Sequence, residues 1–132
     1  MQNRNPASRS LEVPGVTHGA APIPMGARVG NVIYSSAILG KDPATDKLPV
    51  DGEAQARFVF ENMRTLLKQG GATTDSIVRM TVYLKDDSLR EVLNKEWLAT
   101  FPDPHDRPAR HVLIHNLQGA LLIQVEIVAV VQ

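Results

Sequence analysis

The chain has 132 residues, 43% of them hydrophobic, and its 14 basic and 14 acidic side chains cancel. That length fits one domain with a real core, expected over residues 1–132. Neutral charge without a dense Lys/Arg run argues against a dedicated nucleic-acid binder, and the absence of cysteine excludes disulfides, thiolate nucleophiles and Cys-ligated zinc.

Met1-Gln2-Asn3-Arg4-Asn5 is polar and leads into no apolar run. Neither a signal peptide nor a membrane span is expected, and a cytoplasmic protein is the default. Residues 1–27, with Pro6, Pro14, Pro22 and Pro24, read as an irregular N-terminal arm carrying at most one short edge strand. Gly30-Asn31 is a hairpin-like turn signal, and Val32, Ile33 and Tyr34 read as a strand ending near Ser35-Ser36. Asp42-Pro43-Ala44-Thr45-Asp46 is a second turn-rich loop.

The clearest helix runs from about residue 52 to 69. Ala56, Val59, Phe60, Met63, Leu66 and Leu67 fall on one stripe at the helical period. Gly70-Gly71 stops it, because glycine takes the left-handed conformation at a helix end without a Cβ penalty. Residues 77–84 then alternate: Val78, Met80, Val82 and Leu84 on one face, Arg79, Thr81 and Tyr83 on the other. Asp86-Asp87-Ser88 supplies N-cap candidates, and Ser88 with Glu91 fits a capping box. Leu89, Val92, Leu93, Trp97 and Phe101 make the stripe of a second helix. Residues 110–114 and 121–131 read as strands. The expected class is an α/β sandwich, two helices on one face of a mixed sheet.

The last strand is apolar on both sides. Leu121, Ile123, Val125, Ile127, Ala129 and Val131 form one face; on the other, only Gln124 and Glu126 interrupt Leu122, Val128 and Val130. Two helices cover one side of the sheet, so another copy of the chain is expected to cover the second. An N-terminal arm folded across it is the alternative.

Arg107-Pro108-Ala109-Arg110 places a guanidinium where a proline-stiffened loop, Phe101-Pro102-Asp103-Pro104, feeds a strand. A planar fork of donors held still there suits a carboxylate. The competing reading is a surface arginine paired with Asp103 or Asp106.

Several motifs then stand in one order: Gly30-Asn31 with the strand to Ser36, Asp42-Pro43-Ala44-Thr45, Asn62-Met63 followed by Gly70-Gly71-Ala72, the strand Val78 to Leu84, Val92-Leu93-Asn94-Lys95-Glu96-Trp97, Pro108-Ala109-Arg110, and Gln124 to Val130. Across residues 14–131 this resembles the YjgF/Rid family of reactive intermediate deaminases, also described as L-PSP endoribonucleases. The resemblance implies a chorismate-mutase-like fold, a homotrimer with clefts between subunits, and hydrolysis of short enamines and imines to a 2-keto acid and ammonia without a cofactor.

By the resemblance, Arg110 is the carboxylate clamp, in bonds worth about 1.5–3 kcal/mol each. Val112, where the family often has Cys, offers its backbone to the imine nitrogen or water. Asn94 matches the family's helix asparagine, and Tyr34 and Ser35 join the substrate-binding set. Two positions depart. Ile23 stands where the family has a tyrosine, and Gln124 where deaminating members have a water-activating glutamate. An amide orients water but does not titrate, which removes about 10²–10⁴-fold of acid–base help at that position. Glu126, about 7 Å along the same strand face, and His111 are auxiliary candidates. His111 and His115 would be about 13 Å apart on a strand, so no metal site is expected. Ser35 and Ser36 show no base partner in a triad pattern. The expected ligand is a small imine, enamine or keto acid, including a larger aminomuconate-type acid; the alternative is a trimeric carboxylate-binding regulatory module with little turnover. Nucleic-acid and membrane partners are not expected.

Overall fold

Gly30 lies at φ +59° and closes a two-residue hairpin in which Val29 sits opposite Val32, the left-handed turn residue the sequence signal requires. This computed structural model describes residues 8–132, so the readings of residues 1–5 and of Pro6 lie outside the described residues. The strands are β1 (Ser10–Leu11), β2 (Gly26–Val29), β3 (Val32–Ser35), β4 (Ile38–Leu39), β5 (Ile77–Leu84), β6 (Ala109–Ile114) and β7 (Ile123–Val130). The helices are α1 (Gly52–Gln69) and α2 (Arg90–Thr100).

The sheet runs β1-β2-β3-β7-β5-β6, with β4 also paired to β7. Every pairing is antiparallel except β5 with β6. Parallel neighbours need a crossover, and α2 is that crossover, which fixes it beside β6. Asp51 caps α1 through the N–H groups of Glu53 and Ala54, and Gly71 at φ +77° follows its end. The predicted stripe of α1 is buried throughout, as are Leu93 and Trp97 of α2. They share one core cluster with Ile33, Met80, Val82, Ile123, Val125, Ile127 and Ala129, so both helices lie on the same face of the sheet.

Several local expectations need correction. Val78 is 52% exposed rather than part of the core face, because β5 carries a bulge between Ile77 and Arg79 against β7, and Ile77 takes the buried place. Ser88 does not cap α2; Asp86 accepts from the Ser88 N–H and hydroxyl and caps a short 3₁₀ turn, Asp87–Leu89, that runs into the helix. The closing strand begins at Ile123, with Leu121 and Leu122 ahead of it. Within the N-terminal arm, β1 pairs with β2, the first hairpin strand, which begins at Gly26.

The second sheet face stays open. Leu11, Val13, Val16 and Met25 of the arm join the helix-side core instead of folding across it. Val29, Val32 and Tyr34, which share the open face with Val128 and Val130, are 66%, 38% and 62% exposed.

Candidate functional site

The loop before β6 is fastened before the arginine arrives. Arg107 Nε donates to Phe101 O at 2.9 Å, and Asp103 accepts from the His105 N–H at 2.9 Å through Oδ1 and from the Asp106 N–H at 3.1 Å through its carbonyl. Chain direction into β6 is thereby set, and Arg110 falls opposite Met80 of β5, itself opposite Ile127 of β7. All three point to the helix-covered face.

There the guanidinium meets α2. Its Nη1 donates to Asn94 Oδ1 at 2.8 Å, and its carbon lies 4.9 Å over the Trp97 ring. Trp97, 8% exposed, packs in turn on Phe101 at 4.7 Å between ring centres. A neutral amide and an aromatic face orient the cation without cancelling its charge. Partial burial holds the Arg110 pKa below its ordinary value, and the nearby Arg90 charge adds to the effect. The pairing with Asp103 or Asp106 is not formed. Ion pairs among the described residues join Lys41 to Asp46, Arg90 to Asp87 and Lys95 to Glu53, none of which includes Arg110. Its Nε and Nη2 donate to no described residue. The result is a half-buried, braced cation with one edge of its fork unclaimed, the arrangement a carboxylate fits bidentately.

Val112 lies two residues along on the same face as Arg110, half-buried against the core edge. Because β6 is the last strand of the sheet, its outward backbone groups face away from β5. Gln124 and Glu126 stand opposite Tyr83 and Thr81, hence on the open face. One protomer therefore places Arg110 and Gln124 on opposite sides of the sheet. Tyr34 is also on the open face, and its neighbour Ser35 accepts from the Ile127 N–H at 2.8 Å through its hydroxyl oxygen. Tyr34, Ser35, Arg79, Thr81 and Glu126 line a shallow hollow of about 340 Å³ on that side. His111, opposite Thr81, belongs to the open face too and is exposed. Ile23 is 50% exposed, and its N–H donates to Ala21 O at 2.9 Å. His115 lies past the end of β6, edge-on to Tyr83 at 6.4 Å.

Two neighbours of Arg110 escaped the sequence reading. In the sequence Trp97 stands on the apolar stripe of the second helix and ends the Val92-Leu93-Asn94-Lys95-Glu96-Trp97 motif, with no site role, and Arg90 stands in neither. Their spacing from Asn94, at i, i+4 and i+7 along α2, is the signal that connects them.

The sequence profile of the family described as Endoribonuclease L-PSP matches residues 20–131. The chain belongs to this family, the YjgF/Rid group. A RutC family protein of Haemophilus influenzae is 31% identical over 105 residues, 77% of this chain and 81% of that protein. The 2-iminobutanoate/2-iminopropanoate deaminase of Escherichia coli K12 is 28% identical over 125 residues, 93% of this chain and 98% of its own length. Among solved structures, RidA of the Antarctic bacterium Psychrobacter superposes with a TM-score of 0.83 at 28% identity, covering 92% of this chain and 98% of that one. Among the described residues, no helix is long and apolar enough to cross a membrane.

Proposed function

We propose that the protein is a cytoplasmic, trimeric hydrolytic deaminase of small imine or enamine carboxylic acids, releasing a 2-keto acid and ammonia. The observation that carries this reading is the Arg110 guanidinium, braced by Asn94 and Trp97 and left without a carboxylate partner among the described residues. The relative named as a 2-iminobutanoate/2-iminopropanoate deaminase supports the reaction type. The open face with exposed Val29, Val32 and Tyr34 supports assembly through that face.

In this reading Arg110 clamps the substrate carboxylate and so fixes the neighbouring C=N carbon. Water adds to that carbon and its proton passes to nitrogen. The carbinolamine then expels ammonia as its hydroxyl proton leaves, and the C=O of the keto acid forms. Holding water and carbon in a near-attack arrangement is the protein's main contribution. Gln124 serves as the water-orienting group, and since it lies across the sheet from Arg110 within a protomer, it acts on the substrate of a neighbouring copy. Glu126 and His111, also on the open face, are the titratable groups closest to that role.

Gln124 favours a second reading, a trimer that binds small carboxylates and turns them over slowly. One assay separates the two. An amino-acid dehydratase generates imine in the presence of the purified protein, and ultraviolet absorbance follows its decay. Faster decay that disappears in Arg110→Ala is the enzyme's signature, and Gln124→Glu should then raise the rate. Decay at the uncatalysed rate, with keto acids still raising the melting temperature, identifies the binder. Arg110→Ala should weaken keto-acid binding by about 10–100-fold in calorimetry while melting within a few degrees of the parent. Equal affinity in that variant defeats both readings.

A further inference from the structure

The open sheet face carries one carboxylate and one guanidinium. Among the described residues that β2, β3, β5, β6 and β7 present there, Glu126 is the sole acid and Arg79 the sole Lys or Arg. Arg79 stands opposite Val128, and Thr81 opposite Glu126, so the two charges are diagonal neighbours on adjacent strands. Both line the hollow of about 340 Å³ that Tyr34, Ser35 and Thr81 share.

The two charges do not use each other. No ion pair or hydrogen bond joins either side chain to a described residue. Glu126 is nevertheless half-buried, while Arg79 is exposed. Their surroundings are apolar: Val29, Val32 and Tyr34 stand exposed on the same face. Covering that face takes both charges out of water, which is costly unless each meets its opposite. A second copy of the chain brings the same two charges. The face can therefore supply its own complement, the condition a contact repeated between identical subunits requires.

We infer that Arg79 of one copy reaches into the hollow of the next and pairs there with Glu126, once at every interface. The inference rests on the assembly through the open face in the proposed function, and it names the groups that set the register of that assembly. Glu126 then serves the interface rather than the reaction.

Sedimentation of the full chain over a range of concentrations measures how tightly its copies associate. Charge reversal at either position, Arg79→Glu or Glu126→Arg, sets like charges across each interface and should weaken association by about a hundredfold or more. Arg79→Gln and Glu126→Gln should act in the same direction, and circular dichroism checks that each variant keeps the fold. Both reversals combined in one chain should recover association. The decisive step mixes the two single-reversal chains. Each supplies the charge the other lacks, so mixed assemblies should form at concentrations where neither variant assembles alone. A pair made inside each copy would be restored by the double variant and not by mixing.

Single reversals that associate as tightly as the parent, a double variant that stays apart, or a mixture that stays apart each overturn the pairing and leave the proposed function standing. Where a reversal unfolds the chain, the Gln variants decide, and unchanged association in both overturns the pairing. A parent chain that sediments as a monomer throughout removes the assembly of the proposed function and this inference with it.

Discussion

Helices α1 and α2 pack on the same face of the sheet, yet they use their inward-facing amide side chains, buried on α1 and half-buried on α2, in opposite ways. On α1, Gln55 is fully buried and makes three bonds to the chain itself. Its Nε2 donates to Pro49 O and Ala120 O at 2.8 Å each, and its Oε1 accepts from the Leu122 N–H at 3.0 Å. Asn62, 1% exposed, gives both Nδ2 hydrogens to Leu39 O and Lys41 O, and its Oδ1 has no partner among the described residues. On α2, Asn94 accepts from Arg110 and leaves the outer donors of that guanidinium unclaimed. The first arrangement closes loops, and the second presents a charge. A buried polar group with its bonds made indicates architecture; a braced cation with donors to spare indicates a ligand.

The largest effect should come from breaking the α1 side. Gln55→Ala deprives two carbonyls and one N–H of their partner and opens a void, so urea unfolding should show a loss of about 3 kcal/mol, with a melting point about 10 °C lower. Gln55→Met fills most of the volume and should recover only a minor part, because the orphaned backbone groups are the main cost. Keto-acid affinity of the folded fraction should stay unchanged in both. A fall in affinity that matches the fall in stability would erase the distinction between the helices.

The mirror experiment is Asn94→Ala. Asn94 is half-buried and its bond serves Arg110, so stability should change by less than about 1 kcal/mol. Affinity for a keto acid should drop by about five- to tenfold, the price of a clamp with one brace removed. Calorimetry beside a melting curve reads both quantities. Destabilisation without an affinity change would make Asn94 a structural residue like Gln55.

How legible these features were depends on how far apart their causes lie in the chain. The α1 stripe and its glycine stop are local periodicity, and they appear as expected from residues 52 to 71. Arg110 was visible because Pro108 and the following strand pattern are adjacent to it. The exposed Val78 was not, since its bulge exists only through the register of β5 against β7, strands separated by about forty residues of sequence. Opposite faces for Arg110 and Gln124 were likewise hidden, because they follow from three strands in register. Gln55 reads as an ordinary polar helix residue until Ala120 and Leu122 are brought beside it. Ser88 and Glu91 misled for the opposite reason: a local motif was present, and Asp86 took the cap first.

The smallest effect extends the α1 side into a loop. Asn62 holds Lys41 O, and the Lys41 ammonium lies 3.3 Å from the Asp46 carboxylate. The Thr17 hydroxyl donates to that carboxylate at 2.6 Å and the Thr17 N–H at 2.9 Å. These bonds, led by the Thr17 hydroxyl, hold the Asp46 pKa below its ordinary 3.8 against some desolvation that raises it. A carboxylate favoured in the folded state stabilises it above the unfolded pKa, and that contribution fades as pH falls through the lower folded value. Asp46→Asn removes the charge while keeping a residue that tolerates the φ of +59° found there. The parent's advantage over the variant should therefore be constant near neutral pH and shrink below about pH 4. An advantage that stays constant to the acid limit would assign the contribution of Asp46 to its backbone geometry, and the closed network on the α1 side would then end at Lys41.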